Sequence, residues 1–316
     1  MTIATLLSTV RTGTDLDGFA AVLRPSDAQV TVTGRGPFTA DISRVEFHDL
    51  WLQRATTSSA WINNARISPD RHGIIFATGR APALIWRGEP LEDTDIGLRS
   101  GGQDFCVAFP TNSHWGAMSL PIESITRIFP ALIGADAPSP NTLTIRTTPS
   151  AMARLRQLHE AAGHLAEHAL AAANAAAVRG LEHALTEAMI DCLAGLATRD
   201  DRAAAGRHDT IMKRLHAVLH DRGEDEIYLT DLCESVGVSA RTLRACCQQH
   251  LGMGPKRLLM LRRMHRARHA LQDAAVTTSV TEIATSFGFW ELGRFSVEYR
   301  RLFGESPSVT LRRPRH

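Results

Sequence analysis

At 316 residues the chain has room for two domains of the usual size, about 100–200 residues each. Hydrophobic residues make up 44% and charged residues 22%, an ordinary balance for a soluble globular protein, and no run approaches the roughly 18–20 apolar residues of a membrane helix. The net charge of +2 conceals an asymmetry: residues 240–316 carry 14 Lys/Arg against 5 Asp/Glu (net +9), and the other 239 carry 21 against 28 (net −7). A basic end of this kind meets a polyanion or is a solvated face.

The opening MTIATLLSTVRTG lacks a basic leader and a full apolar core, so no signal peptide is expected. Residues 1–148 read as a β-rich domain. Alternation is visible in Val30–Thr33, Val45–His48 and Leu50–Gln53, and less cleanly in Ile74–Ala77, with Gly34, Gly36, Pro37, Gly79, Pro82, Gly88, Gly101 and Gly102 as punctuation. Many short strands so interrupted predict a barrel or a sandwich. Pro121–Phe129 predicts one short helix ended by Pro130. Trp51, Trp61 and Trp86 are candidates for a small-molecule pocket and equally for the core.

From Pro149 the composition becomes Ala- and Leu-rich, predicting helices over 150–170 and 174–196. Leu181, Leu185, Met189, Cys192 and Leu196 form a stripe at helical spacing. It serves either to pair with a second copy, making residues 149–207 a dimerisation segment, or to pack on its own domain. Ala197–Arg207 reads as a linker.

Residues 208–316 read as short helices. Ile211, Met212, Leu215, Val218 and Leu219 give the first an apolar face. Thr230 is the expected cap of the next, Gly237-Val238 breaks it, and Ser239 can cap a helix over 240–250. Helix, short glycine turn and second helix make up a helix-turn-helix unit, here about 230–250. The grammar returns 51 residues later, from Gly237 to Gly288, in a second unit at about 280–302. There Ser279 and Glu282 have capping-box spacing, Val280, Ile283, Ala284 and Phe287 form a buried face, and Glu291–Leu302 is the second helix, closed by Phe303-Gly304. A repeat of this kind is much more specific than one such pattern. Pro255–Asp273 between the units predicts a rigid helix of about 25 Å, the right order for holding two reading heads one turn of DNA apart, about 34 Å. Its Lys256, Arg257, Arg262, Arg263, Arg266 and Arg268 can neutralise phosphates.

The C-terminal segment resembles the AraC/XylS family of bacterial transcription regulators. The likeness rests on Ile283-Ala284, Gly288-Phe289, Arg294-Phe295-Ser296, Tyr299-Arg300 and Phe303-Gly304-Glu305-Ser306-Pro307, with Arg263-Met264, Ala267 and Ala270-Leu271 matching the family's linker helix. The N-terminal half is more weakly similar to the cupin-like sensor domain of such regulators, which completes an α+β fold: a cupin-like barrel, a helical dimerisation segment and an all-α tandem helix-turn-helix domain. The resemblance implies base reading by Arg241, Thr242, Arg244 and Ala245 in the first unit. In the second it implies Leu292, Gly293, Arg294, Ser296 and Val297, and backbone contacts from Ser239, Lys256, Arg262, Arg263, Arg266 and Arg300. Trp290 and Leu292 depart from the polar residues usual in the family, so the second unit reads thymine methyls or mainly follows the backbone, and Arg294 reads a base or touches only phosphate. The implied partners are double-stranded DNA, RNA polymerase, a small-molecule effector and a second copy of the chain.

Two other function classes fit the sequence less well. His164-Leu165-Ala166-Glu167-His168 matches the H-x-x-E-H zinc-peptidase pattern, but no partner motif follows, and His48, His72 and His114 are scattered singly, so neither enzyme, metal nor cofactor is expected. An architectural DNA binder would not need the N-terminal half. Five scattered cysteines, Cys106, Cys192, Cys233, Cys246 and Cys247, fit a reduced, cytoplasmic chain; the adjacent Cys246 and Cys247 read as small fillers or as a redox pair.

Overall fold

The computed structural model describes residues 7–23, 29–79, 82–99, 101–126, 143–168, 175–193, 197–198, 203–222, 227–274 and 278–313. The N-terminal domain runs β1 (Leu7–Thr14), α1 (Leu16–Ala20), β2 (Gln29–Val32), β3 (Ala40–Glu46), β4 (Trp51–Thr57), β5 (Trp61–Arg66), β6 (Arg71–Ala77), β7 (Ile85–Trp86) and β8 (Glu89–Pro90). It continues through β9 (Asp95–Arg99), β10 (Asp104–Phe109), β11 (Ser113–Pro121), α2 (Ile122–Thr126) and β12 (Leu143–Arg146). Then come α3 (Pro149–His168), α4 (Ala175–Leu193) and a short β13 (Ala197–Thr198). Every strand pair is antiparallel, in two sheets ordered β1-β3-β4-β11-β6-β9-β12-β13 and β2-β5-β10-β7-β8.

The side-chain period of two sorts these strands into layers. Trp61, Ala65, Phe105, Val107, Phe109, Ile75, Trp115 and Ala117 face the space between the sheets, where Trp61 stacks on Phe109 at 3.9 Å. Ile74, Phe76, Met118 and Leu120 face outward on the larger sheet, and α3 and α4 cover them with Met152, Leu155, Leu185, Met189 and Cys192. Burial on both faces explains why Ile74–Ala77 shows no clean alternation: nearly every position of β6 is inside. The stripe of α4 is therefore used within the chain. Leu185, Met189 and Cys192 are fully buried on the chain's own sheet, as in the packed-hairpin alternative (Leu196 lies outside the described residues). Arg154 ties the hairpin together through Asp191 at 2.9 Å and Glu187 at 3.4 Å.

Of the expected linker, residues 197–198 pair with β12 and α5 (Ala203–Asp221) begins earlier than His208, where consecutive alanines favour helix. The short helix after Pro121 is described as far as Thr126; Phe129 and Pro130 lie outside the described residues. His164 is exposed, 3.9 Å from Glu160; the side chains of Glu167 and His168 lie outside the described residues. Among the described residues no three His, Cys, Asp or Glu side chains assemble as metal ligands.

The C-terminal domain holds α5, α6 (Leu229–Val236), α7 (Ala240–Leu251), α8 (Pro255–Asp273), α9 (Val280–Ser286), α10 (Leu292–Phe303) and α11 (Pro307–Leu311). It is docked on the N-terminal domain. Ile62, Cys106 and Ala108, on the outer face of the smaller sheet, share a core with Met212, Leu215, Cys246 and Leu251. The approach is close at Gly88 (φ +80°), where a Cβ would lie 2.8 Å from the His250 ring. Further along, α8 lies against β2 and α1. His265 Nε2 accepts from Val32 N at 3.1 Å, Arg268 meets Asp17 at 3.2 Å, Gln272 donates to Asp17 at 2.6 Å and Arg262 donates to Gln29 at 3.3 Å.

Candidate nucleic-acid interface

Each unit is built by local chemistry. In the first, Tyr228 is the cap residue of α6 and its N–H donates to the Asp231 carboxylate at 3.2 Å. Thr230, the expected cap, sits inside the first turn, because Asp231 closes the helix end from its third position. Gly237 takes the left-handed conformation (φ +75°) and donates to the carbonyls of Cys233 and Glu234, turning the chain. Ser239 Oγ then accepts from Thr242 N at 3.2 Å and caps α7. Leu243, Cys246 and Cys247 are buried; Arg241, Arg244 and Ala245 are exposed. Thr242 is half-buried, its hydroxyl 2.9 Å from that of Ser239, so of the four expected readers it is the one engaged by the cap. Gln248, one turn beyond Arg244, shares the exposed face; the helical period alone was sufficient to find it. Burial pushes the Cys247 thiol up to about 12 and raises that of Cys246, as befits fillers rather than thiolates.

In the second unit, Glu282 N donates to Ser279 Oγ at 3.2 Å and Ser279 N donates to the Glu282 carboxylate at 2.7 Å, the reciprocal box that the spacing predicts. Truncating Ser279 to Ala should lower stability by about 1 kcal/mol. Urea unfolding of the full chain checks this; an unchanged midpoint would show that the box is redundant. Ile283 and Ala284 are buried, and Val280 and Phe287 are half-buried. The second helix of this unit, α10, starts one residue later than expected, with Glu291 as its cap, and extends through Phe303 to Gly304. Phe295, Tyr299, Leu302 and Phe303 hold it to the domain, and Tyr299 donates to Thr310 at 2.8 Å. Leu292, Gly293, Arg294, Val297 and Arg300 are exposed, and Ser296 is half-buried. Arg294 lies 3.8 Å from Glu291 in an exposed pair too weak to fix it. Trp290, 78% exposed, projects beside them and adds an apolar ring to the exposed Leu292 and Val297.

The expected backbone contacts and the other cations of α8 divide sharply. Ser239, Lys256 and Arg300 are exposed. The guanidinium of Arg263 stands over Phe289 at 5.3 Å and that of Arg266 over Phe287 at 5.2 Å, both half-buried against the second unit. Arg262 turns inward, donating to the Leu219 carbonyl at 2.7 Å; burial, with Arg266 nearby, lowers its pKa. Arg268 is buried against Asp17. The helix between the units is thus also one of the contacts with the N-terminal domain, and the bonds of Asp17, Gln29 and Val32 to it carry no local signal in the sequence.

Residues 232–313 match the family described as "Helix-turn-helix domain". Over 95 residues the chain is 40% identical to the probable thc operon regulatory protein of Rhodococcus erythropolis, covering 30% of this chain and 29% of that one. Over 102 residues it is 38% identical to the XylDLEGF operon transcriptional activator 3 of Pseudomonas putida, covering 32% and 31%. Over 103 residues it is 37% identical to the transcriptional activator RhaS of Salmonella paratyphi B, covering 33% and 36%. The chain thus matches about a third of the length of these relatives. Among solved structures, that of the AraC-like transcriptional activator CuxR aligns with a TM-score of 0.42 and 16% identity over 84% of this chain and 96% of that one. The C-terminal third of the chain is a tandem helix-turn-helix domain of the AraC/XylS type.

Proposed function

We propose that the whole chain is a sequence-specific, ligand-responsive transcription activator that reads two adjacent major grooves of double-stranded DNA. The observation that carries this is the pair of like-built units at either side of one 19-residue helix, each with an exposed reading face. Bases are assigned to Arg241, Thr242, Arg244 and Ala245 in one head and to Leu292, Gly293, Arg294 and Ser296 in the other. Lys256, Ser239 and Arg300 contact the backbone as they stand, whereas Arg262, Arg263 and Arg266 would first have to leave their present neighbours. Activation through RNA polymerase, a cytoplasmic location, assembly as a homodimer and the absence of catalysis are carried over from the family resemblance; no helix among the described residues is long and apolar enough to cross a membrane. A dimer cannot use the stripe of α4 as it is packed here. The docked α8 gives an effector in the N-terminal domain a direct mechanical route to the reading heads, through differential affinity for docked and undocked states.

The test is selection of bound duplexes from a random pool at physiological salt, where two enriched motifs about one helical turn apart are expected. Arg241→Ala, Arg244→Ala or Arg294→Ala should each relax preference at one position, by about 1–3 kcal/mol of discrimination, and Lys256→Ala should weaken all sequences alike. Binding without any enriched motif would leave an architectural protein in place of a regulator.

A further inference from the structure

We propose that the space between the two sheets is a binding site for the carboxylate of a small organic monoanion, with Arg99 as its counter-ion. This rests on the reading of the N-terminal domain as a sensor and names the ligand class it takes.

Arg99 ends β9 and is only 6% exposed. Its guanidinium lies over the ring of Phe105 at 3.5 Å and that of Trp86 at 5.0 Å, and among the described residues no carboxylate pairs with it. Burial lowers its pKa to about 9, which still leaves a full positive charge at neutral pH. Buried cations are normally paired with an anion, and ring faces alone compensate poorly for lost water. Arg99 Nε has no hydrogen-bond partner. Two more buried polar atoms on the same small cavity, Trp115 Nε1 and Asn63 Oδ1, also lack one. Three orphaned polar groups around one cavity are rare in a finished core and point to an occupant. Arg99 and Trp115 offer N–H donors, which suits an acceptor-rich anion, and a planar carboxylate fits a guanidinium; Asn63 Oδ1, an acceptor, would be met by a water bound beside the carboxylate.

The cavity measures about 20 Å³, which holds little more than one water and therefore only a headgroup. The remainder of the ligand has a place to go. Trp51 and Ile67 line both this cavity and an outer groove of about 390 Å³, so they form the partition between them. Half-buried Trp51 is the side chain that would have to swing. The outer groove carries Glu46, Asp49 and Asp70 against Arg71 and His48, a lining with more acidic than basic charge, which disfavours a second negative charge and favours a ligand with one carboxylate and a neutral, largely apolar body.

Thermal unfolding and tryptophan fluorescence of the full chain test this, with phenylacetate and hexanoate set against phenylacetamide and hexanamide, which match them in shape without the charge. At least one acid should raise the melting temperature in a concentration-dependent way and bind tenfold or more tightly than its amide. Arg99→Gln, with folding checked by circular dichroism, should abolish that preference and Arg99→Lys should keep part of it. Should Arg99→Gln fail to fold, the acid-to-amide ratio in the unaltered protein and in Arg99→Lys decides the matter. Equal affinity for acid and amide, no response to either acid, or an undiminished preference in Arg99→Gln would overturn the proposal and leave Arg99 as a stacked structural cation. Duplex selection without ligand is read separately. Motifs selected by a chain that ignores all four compounds would preserve the regulator and remove only the carboxylate site, whereas carboxylate binding by a chain that selects no motif would do the reverse.

Discussion

Truncation of Phe295 to Ala should remove about 3–5 kcal/mol from the second helix-turn-helix unit and erase one of the two motifs in selected DNA. The ring is 2% exposed, with centroids 4.9 Å from Phe289 and 5.6 Å from Tyr299, and it joins the turn before α10 to the body of that helix. Tyr299, Leu302 and Phe303 are the other buried side chains of α10, so truncation removes one of its four anchors. A loss of that size is a large part of the 5–15 kcal/mol typical of a whole domain, and local melting is the expected consequence. Hydrogen exchange should show protection lost over 280–303 and kept over 232–251. Equal loss in both units would mean that the two heads fold as one body. Phe295→Leu, closer in volume, should retain most of the second motif.

The second large effect is on pH. His265, between α8 and β2, and His159, between α3 and the larger sheet, are both held neutral by burial, which depresses their pKa values from 6.5 to about 4. Arg54 adds to the depression at His159; at His265, His269 and Arg268 add to it, while the Val32 bond and Asp17 oppose it. Because the folded-state pKa lies below the unfolded one, the unfolded chain takes up these protons first. The stabilisation is complete above about pH 6.5 and drains away as pH falls towards 4, by up to roughly 3 kcal/mol for each ring. Urea unfolding between pH 7 and 4.5 isolates this region, since most carboxylates titrate lower. His265→Gln should lower the slope by the share of one ring, leaving that of His159 and of His72, whose pKa burial also lowers. It should also loosen the docked domain, because protonated or absent, His265 no longer accepts from Val32 N. A slope unchanged in both His159→Gln and His265→Gln would place the acid sensitivity elsewhere.

The C-terminal helix-turn-helix domain was legible because its determinants are local. A capping Ser three residues before Glu, a glycine that must turn left-handed, and apolar residues three and four apart each act within one or two turns. Ser239, Ser279, Gly237 and Gly288 therefore sit where the spacing places them. Even the miss at Thr230 is a shift of two residues in a helix whose existence was clear. The exposure of Arg241, Arg244 and Arg294 follows from the same period. What the period does not contain is the partner of each face. The stripe of α4 fits a second chain or a sheet equally well, and only the fold turned it onto the latter. Strands covered on both sides lose the alternation that marks a strand, which blurred β6.

The basic helix between the units shows the division most plainly. Six cations on α8 were one class when read by charge. Tertiary structure separates them into Lys256 at the surface, Arg257 beside Glu298 at 3.7 Å, Arg263 and Arg266 over aromatic rings, and Arg262 and Arg268 turned to the N-terminal domain. Those last partners, Gln29 and Asp17, lie more than 200 positions away in the chain, as does Val32 from His265. The isolation of Arg99 is likewise invisible in sequence, since a missing counter-charge is a property of the space around a residue. By itself the sequence determined the two reading heads and the helix that spaces them, because capping, turning and helical period act over a few residues. Which of their faces stay exposed and which pack on the N-terminal domain was decided only by tertiary packing, because burial and pairing depend on neighbours brought together from distant parts of the chain.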